Sequence, residues 1–180
     1  MKIWGALSNA VRGWVMILRG EAGWRDHFTL TLPGLVTALV VLAFVAFLAV
    51  MVTSIGIGMP AASGVIAAIV VLALPVISLL VTFLATRLAM ASTVSSYEVM
   101  VPGTYALTAF VVLEGILALT GGPLVMLSWL VMAFLIYRLA RVATGWNMGV
   151  SAGFAVLTVV LLVAVRLALY MLSTPTVSPI

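Results

Sequence analysis

The sequence predicts an all-α membrane protein: a polytopic bundle of five transmembrane helices, preceded by an N-terminal amphipathic interfacial helix. Three observations carry that expectation. Of 180 residues, 66% are hydrophobic and 7% are charged, against roughly 25% charged in an ordinary soluble domain. A mean hydropathy of +1.40 is more apolar surface than a chain of this size can hide from water in one core. Charge-free apolar runs of the roughly 20 residues needed to cross hydrocarbon recur along the chain, set off by Pro, Gly and basic residues. The chain divides accordingly into an amphipathic segment and connector (1–31), a membrane domain (32–172) and a short polar tail (173–180).

The first span covers 32–52 and is opened by Pro33 and Gly34, a position where proline is tolerated. The second covers 61–84, with Pro75 inside it as an expected kink. The third starts at Pro102 and ends before Gly121 and Gly122; the fourth opens at Pro123 and runs to Ala140. The fifth covers 149–172. The basic residues interrupting the first twenty positions leave no continuous apolar stretch of the kind a cleavable signal peptide needs, so the first span is expected to stay.

Orientation follows from the eight Lys and Arg residues. Lys2, Arg12, Arg19 and Arg25 precede the first span, Arg87 closes the second, and Arg138 and Arg141 close the fourth. The loops at 53–60 and 120–123 and the tail carry no charge. Alternating sides across five helices places every cation except Arg166 on one face. By the positive-inside rule that face is the cytoplasm, with the N-terminus inside and the C-terminus outside. Tyr137 and Trp146 at the inner ends, and Tyr170 at the outer end, stand where aromatic rings meet headgroups. The Ala-, Val- and Leu-rich spans and the preference for Arg over Lys suggest a bacterial inner membrane.

Before the first span, Trp4, Leu7, Val11, Trp14 and Leu18 fall in one arc at about 100° per residue, opposite Lys2, Asn9, Arg12 and Arg19. A basic helix of this kind lies in the interface plane against anionic lipids of the cytoplasmic leaflet, as an anchor or as a docking element. Gly20 ends it, and residues 21–27 form a short polar connector. His27, the only histidine, stands at the span boundary without the company a metal site would need.

Two ionisable residues lie within spans. Glu114 and Arg166 each sit about six residues short of the outer ends of the third and fifth spans, hence roughly 9 Å below that boundary. Either alone would cost on the order of 2.5–3.5 kcal/mol at a helix centre. Equal depth and opposite sign make them partners, as a lock between two helices or as an ion site. Gly149 and Gly153 form a GxxxG pattern that predicts a close helix contact; Ala85 and Ala89 repeat the spacing. The stretch 92–98, with its hydroxyls and Glu98, is the longest cytoplasmic loop after the N-terminus.

Composition narrows the chemistry. One His, four acidic residues and no Cys remove disulfides, thiolate zinc sites, iron–sulfur clusters and cysteine nucleophiles. No Gly-rich phosphate loop and no G-x-S-x-G occurs, and one His leaves no catalytic set inside the membrane. No enzyme, no cofactor and no nucleic-acid partner is therefore expected.

The stretch 102–107 (Pro-Gly-Thr-Tyr-Ala-Leu), Ser128-Trp129-Leu130, and 138–145 (Arg-Leu-Ala-Arg-Val-Ala-Thr-Gly), within five spans behind a cytoplasmic helix, are similar to the Yip1-like membrane family. The likeness covers residues 28–172 in layout, and it implies that architecture. The acidic-aromatic motif upstream of the first span in eukaryotic members has no counterpart in 21–27, so their trafficking roles do not carry over. The function expected from these features is that of a non-catalytic accessory or scaffold subunit of a larger inner-membrane complex, acting through helix and lipid contacts. The alternative is a small transporter or channel component using Glu114.

Overall fold

A computed structural model describes residues 3–57, 62–120 and 124–173, and every regular element among them is helical. The elements are α1 (Ile3–Arg19), a single 3-10 turn (Trp24–His27), α2 (Leu32–Ile57), α3 (Ala62–Ala89), α4 (Ser96–Thr120), α5 (Val125–Thr144) and α6 (Met148–Ser173). Among the described residues, four helical stretches are long and apolar enough to cross a membrane: Leu32–Val52, Ser96–Leu119, Val125–Thr144 and Met148–Leu169. The described part of α3 adds a shorter apolar stretch, Ala73–Ala89. Helices are the natural outcome of such runs, because hydrocarbon offers no partner for a backbone N–H or C=O.

Several boundaries depart from the sequence expectation. Pro102 does not open the third span: α4 begins at Ser96 and carries Pro102 inside it, which absorbs residues 96–98 of the expected 92–98 loop. The ring deprives the Glu98 carbonyl of its usual donor, a defect confined to the first two turns. Residues 53–57, read as loop, continue α2. α3 runs unbroken through Pro75 to Ala89. Residues 58–61, the Gly121-Gly122-Pro123 junction and the tail from 174 lie outside the described residues, as does the Tyr170 side chain.

α4 is the central strut. It packs against α2 on one side and α5 on the other and touches α3, while α6 closes the ring against α5 and α3. Its span is 56% buried, against 22–28% for the other three. Small residues permit this. Gly103 lets Leu79 of α3 come so close that an added Cβ would lie 2.6 Å from Leu79 Cδ2. Thr104 and Thr108, both buried, return their hydroxyl protons to the carbonyls of Met100 and Thr104 on the same helix. Phe83, Trp146 and Phe154 form an aromatic cluster joining α3, the α5–α6 turn and α6. Trp146, expected at headgroup level, is thus a core residue.

α1 lies across one end of the bundle on α4 and α5. Gly20, at φ +75°, closes it with bonds from Gly20 N to the Ile17 carbonyl and Glu21 N to the Met16 carbonyl, the Schellman arrangement. Arg138 of α5 completes the end by donating to the carbonyls of Ile17 and Leu18. Its role differs from the expected one: it closes another helix's terminus, not its own. The arc of apolar residues read as one interfacial face is divided. Leu7 and Trp14 pack against the core while Trp4, Val11, Val15 and Leu18 are exposed, and the buried side is set by Ala6, Ala10 and Ile17 beside that arc.

The Trp14 indole donates to the Pro102 carbonyl at 3.1 Å. Trp14→Phe keeps the ring and deletes this bond. It should lower stability by about 1 kcal/mol, seen as a downward shift in thermal unfolding in detergent. An unchanged transition would mean that the bond contributes nothing to holding α1.

Candidate functional site

The two charges within the apolar helices α4 and α6 are brought together. Arg166 Nη1 donates to Glu114 Oε1 at 2.8 Å and Nη2 to Oε2 at 3.3 Å, a two-pronged pair of the kind that arginine's planar fork favours. The side chains keep 27% and 21% exposure for Arg166 and Glu114. Spanning three helices, the pair reaches from α6 to α4, and α5 lies between them as the neighbour of both. Trp129 of α5 fills the gap: the guanidinium carbon lies 5.2 Å from its ring centre. The same ring packs edge-on against Phe110 of α4 at 5.3 Å. Carboxylate, guanidinium and indole therefore form one unit, in which the cation is held by an anion and by a π face. Arg166 Nε is buried without a partner.

A second polar cluster occupies the end covered by α1. Arg25 donates through Nε and Nη2 to Glu98 Oε2 at 2.9 and 2.7 Å, and through Nη2 to the Ala143 carbonyl at 3.3 Å. It lies 4.7 Å over the Trp24 ring. The connector read as polar thus carries a buried anchor, since Trp24 is 1% exposed and packs edge-on against Phe28. Arg87 donates to the Ser92 carbonyl and Ser96 hydroxyl, and Arg141 to the Trp146 carbonyl. Arg25, Arg87, Arg138 and Arg141 are thus engaged with turns and helix ends of the protein itself. Sequence reasoning missed the Arg25–Glu98 pair because the partners are 73 positions apart, with no depth argument to join them.

His27 lines a cleft of about 130 Å³ with Asn9, Asp26, Thr37 and Tyr105, between α1, the 3-10 turn and the starts of α2 and α4. Among the described residues no group of His, Asp or Glu has the grouping needed to hold a metal ion.

Within this chain Gly149 and Gly153 make no close helix contact. An added Cβ at Gly153 would meet nothing within 4 Å, and at Gly149 only Asn147 Oδ1 at 3.5 Å. α6 buries Ser151, Phe154, Ala155, Thr158 and Leu162, and both glycines fall on its exposed side. The α3–α6 contact is made instead by a buried bond between the Thr82 and Thr158 hydroxyls, 2.7 Å apart.

No family model, curated protein or solved structure matches this chain.

Proposed function

We propose that this chain is a non-catalytic, multi-pass protein of a bacterial inner membrane that serves as an accessory or scaffold subunit of a larger complex. The supporting observation is the occupation of Glu114. Both of its oxygens are taken by Arg166, and the pair bridges α4 and α6 across Trp129. A carboxylate held at both oxygens serves as a lock between helices; a transport site would need it to exchange partners.

Five crossings form part of the proposal. α3 has 28 residues, about 42 Å of helix at the usual rise, which is enough to span. With α3 crossing, the N-terminus and the basic residues that surround α1 face the cytoplasm and the C-terminus faces out. α1 then rests at the interface, with Trp4, Val11, Val15 and Leu18 free to meet anionic lipid or another subunit. This layout is what the Yip1-like resemblance contributes. The exposed apolar surfaces of α2 and α6 are the contact faces for lipid and for neighbouring membrane subunits.

The test is extraction from native membranes in mild detergent, followed by native sizing and mass spectrometry. Co-migration with a larger assembly at fixed stoichiometry is the expected result. A monomer or small homo-oligomer would overturn the subunit reading and return attention to flux through Glu114→Gln.

A further inference from the structure

We propose that the cleft under α1 binds a primary ammonium group, supplied by the ethanolamine headgroup of a phospholipid. The first support is a surplus of uncommitted acceptors. Asn9, Asp26, His27 and Tyr105 all line the cleft. Among the described residues none of these side chains has a hydrogen-bond or ion-pair partner. Tyr105 is the most enclosed of the four, at 9% exposure, and its hydroxyl is left open to a partner from outside the protein. Asp26 supplies the negative charge, at an end of the molecule where the other charged groups are mainly basic and largely engaged.

The second support is depth. Pro33, at the start of α2, forms part of the wall, which places the cleft where the first apolar span leaves the hydrocarbon. That is headgroup level, a step that rests on the membrane reading above. From there Leu32, Val36 and Val40, all exposed, run along one side of α2 at four-residue spacing and offer a track for an acyl chain. The headgroup chemistry follows from the lining. A primary ammonium presents three N–H donors to a carboxylate, an amide oxygen, an imidazole nitrogen and a phenol oxygen. The trimethylammonium of a choline headgroup carries the same charge and no donor, so the cleft should reject it.

The full chain is reconstituted in nanodiscs holding equal phosphatidylethanolamine and phosphatidylcholine, and the lipid retained on release is identified by native mass spectrometry. The expected result is about a tenfold enrichment of the ethanolamine lipid. Asp26→Asn should abolish it while leaving the thermal transition in place, and Tyr105→Phe should reduce it a few-fold. Free phosphoethanolamine added to the discs should displace the retained lipid. If it binds in pure phosphatidylcholine discs while no lipid enrichment occurs, the ammonium comes from a soluble amine and the lipid source is overturned. Equal retention of both lipids, unchanged by Asp26→Asn and without binding of free phosphoethanolamine, overturns the proposal altogether. Failure of the membrane reading is distinguishable, because the chain would then be released from its membranes by an alkaline wash.

Discussion

Gly34→Ala is expected to cost at least about 3 kcal/mol, at the upper end of what overpacking does, and to leave little folded protein in the membrane. A Cβ on Gly34 would lie 1.8 Å from the Thr29 carbonyl oxygen and 2.8 Å from its carbon. Those are backbone atoms, so no rotamer change relieves the clash. The chain would have to shift where the connector enters α2, and the neighbouring Phe28, whose ring packs on Trp24 and Tyr105, would move with it. Gly153→Ala is the control, since its new methyl meets nothing within 4 Å and alanine favours a helix by about 1 kcal/mol over glycine. Thermal unfolding in a fixed detergent, with folded yield after extraction, separates the two. Similar behaviour of the two variants would show that the connector does not pass Gly34 so closely.

Reversing either member of the Glu114–Arg166 pair should be nearly as damaging. Glu114→Arg sets two guanidinium groups beside each other, and Arg166→Glu does the same with carboxylates; each should cost about 3 kcal/mol. The double reversal restores opposite charges and should recover about half of the summed loss. Recovery is incomplete because the long arm would now start from α4, while Trp129 is placed to stack on a guanidinium that comes from α6. Arg166→Lys keeps the charge but gives up the fork and the stacking face, and should fall between wild type and the reversals. If the double mutant melts no higher than the worse single, the two residues do not stabilise the bundle as partners.

The pair also shows how far sequence reasoning reaches. Counting residues from the span ends puts Glu114 and Arg166 at one depth, because helix rise is constant and hydrophobic thickness is shared. Depth says nothing about which helices are neighbours. Nothing in the spacing indicates that α5 stands between the two, or that Trp129 supports the cation. The same limit explains Gly149 and Gly153: the pattern is real, but which side of α6 meets the bundle is chosen by Phe154, Thr158 and their partners on α3. Trp146 departs from the headgroup position for a related reason. An aromatic ring beside a span end can face headgroups or fold inward, and Phe83, 63 positions away by the difference of the two residue numbers, turns it inward.

Local sequence is enough for the helical class, the location of the apolar runs, the opposite charges at matching depth and the stop at Gly20. Each depends on local composition, on rise per residue or on the conformational freedom of a single position. The tertiary structure alone decided the central place of α4, the division of α1 into buried and exposed sides, the closure of α1 by Arg138, and the meeting of Asn9, Asp26, His27 and Tyr105 around one cleft. Helices that are apolar on every side carry no sequence mark of their inward face. Close packing of small residues, together with hydrogen bonds between distant segments, makes that choice.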